Sequence, residues 1–180
     1  MDETELKIKI LGVPLLRNKA RKVERVTDEQ RRTLSQMSRL MYASSGIGLA
    51  APQVGINESM IVVDAGTGLY KLINPKILKK EGHQVMEEGC LSVPGVYIKI
   101  KRAKKVWVEA WDENSKPLKI EACDLLACVL QHEIDHLQGK LIVDYVSWLQ
   151  KLTLVKKLKN LKGKREDEKL SESERKSVKL

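Results

Sequence analysis

The sequence contains no phenylalanine, and aromatic residues make up only 4% of its 180 residues. Proteins that hold single-stranded nucleic acid usually stack its bases on aromatic side chains. Direct recognition of nucleic acid, including specific recognition of DNA, is therefore not expected. No apolar run approaches the roughly 20 residues that a membrane-spanning helix needs, so a membrane protein is not expected either.

Cysteine is also scarce, with three residues at positions 90, 123 and 128. An odd and small set disfavours a disulfide framework and favours a reducing compartment. The first five residues include acidic side chains where a secretory signal would be basic, and no apolar stretch follows them. Together these features predict a cytoplasmic protein.

The overall composition, with 42% hydrophobic and 32% charged residues, is typical of a soluble globular protein. A chain of 180 residues fits one compact domain. The net charge is +9, and residues 151–180 hold eleven Lys and Arg against five Asp and Glu. We expect a single domain over residues 1–162, followed by a charged tail over residues 163–180.

Helical periodicity occurs in three places. Thr27 and Gln30 fit a capping box, and the apolar residues that follow predict an amphipathic helix over 28–43. A second helix is predicted over 122–138, and a third, basic on one side, over 148–162. The second helix places four residues on one face: Leu125, Val129, His132 and His136.

The chain begins with an irregular entry segment over 6–26, and a Gly- and Ala-rich loop over 44–55 follows the first helix. Strand patterns fill the region between this loop and the second helix. Short runs rich in β-branched residues, separated by turn-forming residues, predict strands at 60–64, 69–73, 77–81, 84–88, 97–101, 105–111 and 118–120. Strands grouped between helices indicate an α+β fold. We expect mainly antiparallel sheets packed around the second helix, with an N-terminal and a C-terminal helix.

The motif with the clearest chemistry is His132-Glu133-Ile134-Asp135-His136. Two histidines four residues apart on a helix lie about 6 Å apart along its axis, so both imidazoles can reach one metal ion. The adjacent Glu133 can then act as a general base. Chance occurrence of this spacing is rare, which favours a metal-dependent hydrolase over two unrelated histidines.

A catalytic metal site typically needs a third protein ligand. Peptidases that use a further histidine six residues on would require His at position 142, where this chain has Ile142. Peptidases that use a downstream Glu would have only Glu166 and Glu168 here, both in the lysine-rich tail. Cys128 lies too far along the helix from His136 and is expected, like Cys123, to pack in the core. Cys90 is the remaining candidate and lies in a Gly- and Pro-bounded turn, but residue types alone favour a buried structural thiol at this position.

Three segments together resemble the peptide deformylase family, in order and at compatible spacing, and the resemblance extends over about residues 8–162. They are Gly46-Ile47-Gly48-Leu49-Ala50-Ala51-Pro52-Gln53-Val54-Gly55, Glu88-Gly89-Cys90-Leu91-Ser92 and Gln131-His132-Glu133-Ile134-Asp135-His136-Leu137. The basic helix beyond them is similar to the bacterial-type branch. The resemblance implies removal of the N-formyl group from the initiator methionine of nascent polypeptides, with release of formate.

The resemblance also implies roles for individual residues. Cys90, His132 and His136 would bind the metal, and Glu133 would take a proton from the attacking water and return it to the leaving amine. The Gln53 side chain and the Leu91 backbone N–H would stabilise the oxyanion. The implied physiological ion is Fe(2+), with Zn(2+), Ni(2+) or Co(2+) able to replace it.

The implied substrate contacts are of two kinds. The backbone at Ile47, Gly48 and Gly89 would pair with the peptide as an added strand. The methionine pocket would be formed by apolar or soft side chains, with Glu88 at its rim: Ile47, Met86, Leu125, Cys128 and Val129. Ordinary core packing is the alternative explanation of these apolar side chains.

The basic residues of the chain indicate a partner other than the peptide substrate. The family works at the ribosome, and a basic set could contact ribosomal RNA together with the helix from Trp148: Lys99, Lys101, Arg102, Lys104 and Lys105. A solvated basic surface explains the same residues equally well. Two other functions stay open at this point. A zinc endopeptidase would cleave internal peptide bonds, and a non-catalytic ribosome-associated module would hold a structural metal through a fourth protein ligand.

Overall fold

A computed structural model of the chain describes residues 5–146. The predicted C-terminal helix over 148–162 and the tail over 163–180 lie outside the described residues. The chain divides into two compact units, Met1–Ile142 and Val143–Leu180, and all elements that form the site belong to the first. Among the described residues, no helix is long and apolar enough to cross a membrane.

Within residues 5–146 the elements are two α-helices and seven strands in an antiparallel arrangement, which confirms the α+β class. The helices are α1 (Asp28–Ala43) and α2 (Asp124–Leu137), and short 3-10 helices occur at Pro14–Arg17, Ala51–Val54 and Ile142–Tyr145. The strands are β1 (Gly48–Ala50), β2 (Met60–Val63), β3 (Tyr70–Glu81), β4 (Gln84–Cys90), β5 (Val93–Arg102), β6 (Lys105–Trp111) and β7 (Pro117–Cys123).

Five strands form one sheet in the order β1-β2-β3-β6-β7, and β4 and β5 form a separate hairpin. Each helix covers one face of the larger sheet. In β2, Ile61 and Val63 pack in the cluster that contains α2, whereas Met60 and Val62 pack in the cluster that contains α1. Burial on both faces explains why all four residues of β2 are apolar.

The helix α1 begins at Asp28, as predicted, and its capping box is formed, with the Thr27 N–H donating to Gln30 Oε1 at 3.1 Å. The helix α2 begins two residues later than predicted. Ala122 and Cys123 still pair with Val106 and Lys105 of β6. Asp124, with φ of 51°, then turns the chain from strand into helix.

Two parts of the sheet differ from expectation. The segments 69–73 and 77–81 belong to one strand, β3, which has irregular pairing after Ile73. There Asn74 adopts φ of 53° and its side chain bonds both backbone groups of Val23, at 2.8 and 2.9 Å. The segment 44–55, expected to be a loop, contains β1, because Gly48–Ala50 pairs with residues 61–63 of β2.

Candidate metal centre

The two motif histidines lie one turn apart on the buried face of α2. Their Nε2 atoms are 3.2 Å apart, and the rings meet edge to face with centroids 5.0 Å apart. Both rings are almost entirely removed from solvent, His136 being 1% exposed. Helical spacing thus brings the two nitrogens to one point, as the motif predicts.

The hairpin of β4 and β5 brings Cys90 to the same point. Cys90 ends β4 at a register shift in the pairing with β5, and its Sγ lies 3.2 Å from His136 Nε2. One ligand atom from each of Cys90, His132 and His136 lies within 4.8 Å of the other two, and no other such cluster occurs within residues 5–146. Two imidazoles and a thiol form a donor set that fits a divalent transition metal, with a fourth position left for water or substrate.

Glu88 lines the cavity and also lies behind His132, a contact that the sequence did not predict. Its carboxylate is buried, and Oε2 lies 2.8 Å from His132 Nδ1. Arg102 donates to both carboxylate oxygens, through Nε at 2.7 Å and Nη2 at 2.9 Å, and also bonds Asp135 on α2. Arg102 is therefore a buried partner of the site and does not belong to the exposed basic set in which the sequence placed it.

These contacts fix the charge of Glu88 and the orientation of His132. Burial raises the pKa of Glu88, but the hydrogen bonds with Arg102 and His132 outweigh burial and lower that pKa to about 2. The ionised carboxylate only accepts hydrogen bonds, so it assigns the ring proton of His132 to Nδ1. The lone pair of Nε2 then faces Cys90 and His136, as a metal ligand requires.

Glu133 is 3% exposed and lies beside Gly48 of β1. A Cβ added at Gly48 would overlap Oε1 of Glu133, so only glycine lets β1 approach the carboxylate this closely. Glu133 Oε2 is buried without a hydrogen-bond partner among the described residues. Burial raises the pKa of Glu133 to about 7, which allows it to take up and release a proton near neutral pH.

Gln53, in the 3-10 helix that follows β1, is 1% exposed and held from both ends of its side-chain amide. Its Oε1 accepts the Ala50 N–H at 2.8 Å, and Nε2 lies 3.2 Å from Ser92 Oγ and 3.6 Å from Cys90 Sγ. The amide N–H groups are therefore oriented toward the metal cluster. Leu91 follows Cys90 directly, at the turn between β4 and β5.

A cavity of about 480 Å³ opens next to the cluster, a volume typical of small-ligand sites. It is lined by Gln53, Cys90, Leu91, His132 and Glu133, and by all eight residues predicted to contact substrate: Ile47, Gly48, Met86, Glu88, Gly89, Leu125, Cys128 and Val129. Ile47 and Leu125 are partly exposed at its mouth. Several further lining residues had no predicted functional role, among them Ser44, Ser45, Val96 and Tyr97.

The other two cysteines have different environments. Cys128 is buried, and its thiol donates to Glu88 Oε1 at 3.2 Å. Burial, and secondarily the Glu88 carboxylate, raise the pKa of Cys128 to about 12, so it stays a neutral thiol in the cavity wall. Cys123 is exposed at the end of β7, which contradicts its predicted place in the core. Strand alternation explains the difference, because Ala122 faces inward and its neighbour must face outward.

Comparisons with known proteins converge on one family. The profile of the polypeptide deformylase family matches residues 5–152. Peptide deformylase of Syntrophomonas wolfei is 53% identical over 137 residues, which cover 75% of this chain and 90% of that protein. Peptide deformylase of Halothermothrix orenii is 48% identical, over 78% of this chain and 93% of that protein.

Solved structures of peptide deformylases are also similar to this chain. A peptide deformylase from Legionella pneumophila superposes with a TM-score of 0.84 at 40% identity, covering 89% of this chain and 96% of that one. The enzyme from Synechococcus elongatus, in complex with actinonin, gives a TM-score of 0.80 at 44% identity and covers 87% of both chains. The similarity therefore includes the fold and nearly the full length of these relatives.

Proposed function

The chain belongs to the peptide deformylase family, and on this premise we propose that it is a metal-dependent hydrolase that removes the N-formyl group from nascent polypeptides, releasing formate. The observation that carries the proposal is the meeting of Cys90, His132 and His136 beside the buried Glu133 in one cavity. A hydrolytic site needs an ion, a proton acceptor and space for a substrate. The donor set for an ion and the buried Glu133 carboxylate line the same cavity, which supports the proposal.

In this proposal Cys90, His132 and His136 hold one divalent ion per chain. Fe(2+) is the proposed physiological ion, and Zn(2+), Ni(2+) or Co(2+) suit the same donor set. When bound, an ion in such a site lowers the pKa of a water molecule and polarises a carbonyl oxygen. The chain contributes the orientation of the ligands, since Glu88 and Arg102 fix the ring of His132 from behind.

Glu133 is the proposed general base and then general acid. Its pKa of about 7 suits a group that takes a proton from the attacking water and returns it to the leaving amine, because proton transfer is most efficient when the pKa lies near the working pH. Its Oε2 has no hydrogen-bond partner among the described residues, so it is free to bond a substrate or water. Because Gly48 has no side chain, it leaves space for this carboxylate.

Gln53 and Leu91 are the proposed oxyanion donors. The amide Nε2 of Gln53 already lies toward Cys90 and is held there by Ala50 through Oε1. The backbone N–H of Leu91 follows the Cys90 ligand. Donors that are oriented before the reaction stabilise a developing negative charge without reorganisation, and each is typically worth about 2.7–4 kcal/mol.

The peptide would enter between two strands that each have one neighbour. Among the described residues, β1 pairs only with β2, and β4 pairs only with β5. Ile47 and Gly48 on one side and Gly89 on the other therefore offer backbone groups for strand addition. The first methionine side chain would occupy the pocket of Met86, Leu125, Cys128 and Val129.

The test is formate release by protein purified without oxygen, assayed on a formyl-Met peptide and on the same peptide with an acetylated N-terminus. Formate from the first, with no internal cleavage of either, supports the proposal. Internal cleavage that ignores the formyl group would instead indicate an endopeptidase. No hydrolysis of either by metal-replete protein would favour a non-catalytic module.

The proposed setting is the cytoplasm, at the ribosome. The basic segment 148–180, which lies outside the described residues, would contact the ribosome through its charge. Deletion of this segment is expected to weaken cosedimentation with ribosomes while formate release from a free peptide persists. Unchanged cosedimentation would count against this part of the proposal.

A further inference from the structure

The most exposed large apolar side chain in the described part of the chain belongs to Tyr97, which is 70% exposed. Its ring lies against Gly89 of the neighbouring strand. A Cβ added at Gly89 would lie 2.9 Å from Cε1 and 3.2 Å from Cδ1 of the ring. Only a glycine leaves this space, so the ring contacts β4 at Gly89 while most of the residue stays exposed to solvent.

The position of the ring relates it to the cavity. Tyr97 pairs with Gly89 across the hairpin, and Gly89 precedes the metal ligand Cys90. Both line the cavity that contains Glu133. Two further exposed apolar side chains, Ile47 and Leu125, lie at its mouth. Because Gly89 and Tyr97 both line the cavity and contact each other, a peptide that leaves the cavity past Gly89 runs close to the ring.

The apolar surface along β5 does not continue beyond Tyr97. The next residues on the same exposed face are Lys99 and Lys101, in accordance with the alternation of a strand. Val85 shares this face at the other end of the hairpin, opposite Lys101. It is 64% exposed but does not line the cavity. Only Tyr97 combines an exposed apolar surface on the hairpin with the cavity mouth.

We propose that Tyr97 determines specificity for the residue that follows the formylated methionine, by offering its ring as a platform for an apolar or aromatic side chain. This inference rests on the proposed deformylase function and adds a preference to it. Aromatic side chains pack well on such a ring, and the gain beyond buried area corresponds to a factor of about two to ten in rate. Glycine at the same substrate position gains nothing from the ring.

The experiment compares kcat/KM for formate release by metal-loaded wild type, Tyr97→Ala, Tyr97→Phe and Val85→Ala. The substrates are formyl-Met tripeptides that carry Phe or Gly at the second position, with a second pair that varies the third. Wild type is expected to prefer Phe at the second position. Tyr97→Ala should lose about two- to tenfold of that preference, while Tyr97→Phe and Val85→Ala keep it.

For each variant, the ratio of kcat/KM for the Phe peptide to kcat/KM for the Gly peptide does not depend on the active fraction of the preparation. A partly misfolded variant therefore still gives a valid answer. If Tyr97→Ala leaves the Phe-to-Gly ratio at the second position unchanged, or slows all four peptides by one factor, the ring does not select the second residue and the inference is wrong. If wild type releases no formate from any peptide, the proposed function itself fails, and the inference falls with it.

Discussion

Gly48 and Glu133 are so close that a single methyl group would fill the space between them. In Gly48→Ala the new Cβ would overlap Glu133 Oε1 and lie 2.9 Å from Val129 Cγ1, which forces the carboxylate away from the cavity. Displacement of a catalytic group by about 1 Å can cost about 10²-fold in rate. We therefore expect formate release to fall by about this factor.

The control for Gly48→Ala is metal content. The variant keeps Cys90, His132 and His136, so metal analysis should give the wild-type stoichiometry. A wild-type rate in Gly48→Ala would show that the close approach of β1 to Glu133 has no part in the reaction.

Glu88 links the site to acid stability in the metal-free protein. Its folded-state pKa of about 2 lies below its ordinary value of 4.5. The stability it contributes is therefore fully present above pH 4.5 and is lost as the pH falls toward 2. Urea unfolding of metal-free protein should show a falling free energy of unfolding across this window.

The charge-neutral variant Glu88→Gln isolates this effect. It should be less stable than wild type at pH 7, and the difference should shrink as the pH is lowered to about 2. Glu87→Gln, at an exposed neighbouring position, is the matched control. A difference between wild type and Glu88→Gln that stays constant with pH would contradict the assignment of an ionised, bonded Glu88.

Residue patterns predicted some members of the site and missed others for physical reasons. The histidines and Glu133 are four residues or fewer apart, so the helix alone brings them together. Cys90 lies 46 residues from His136 in sequence, and only the hairpin and its packing unite them. Arg102 was predictable: it shares the inward face of β5 with Ile98 and Ile100, but its lysine-rich neighbours suggested an exposed basic set.

At the scale of elements, Arg102 joins β5 to α2. It bonds Glu88 on β4 and Asp135 on α2, and its side chain is 4% exposed. Arg102→Met would leave two acidic groups without this partner, and breaking a buried ion pair typically costs about 3–5 kcal/mol. Loss of a group that supports a metal ligand also lowers metal affinity by about 10- to 100-fold.

Both effects can be measured on one set of proteins. Chemical denaturation gives the free energy of unfolding, and competition with a chelator gives the metal affinity. Lys101→Met changes the exposed neighbour on the opposite face of β5 and should alter neither quantity strongly. Equal values for Arg102→Met and Lys101→Met would contradict the role given to Arg102.

The elements with a strong local signal were predicted well. α1 has a capping box and regular apolar spacing, and β6 was predicted with its observed bounds, Lys105–Trp111. β1 was missed because its three residues, Gly48–Ala50, have little strand preference of their own. They become a strand only by pairing with β2. Likewise, Asn74 and Pro75 predicted a break between two strands. β3 instead continues through both residues with irregular pairing, and the Asn74 side chain bonds the backbone of Val23.

For the whole molecule, the local motifs and the order of strands and helices indicate the same fold class and the same family. The α+β class predicted from the order of strands and helices is confirmed by the described residues and by the similar solved structures. The domain boundary at residue 162 and the helix over 148–162 stay predictions. The positive charge of residues 151–180 gives that part of the chain a proposed partner, the ribosome, independent of the catalytic cavity.

In the proposed metal-dependent deformylation Glu133 moves the proton, and the variant Glu133→Gln is the sharpest test of this role. The variant keeps the size of the side chain and all three proposed ligands, so it should bind metal like the wild type. General acid–base catalysis contributes about 10²–10⁴-fold, and formate release from a formyl-Met peptide is expected to fall by at least about 100-fold. A fully metal-loaded Glu133→Gln protein that releases formate at the wild-type rate would contradict the account.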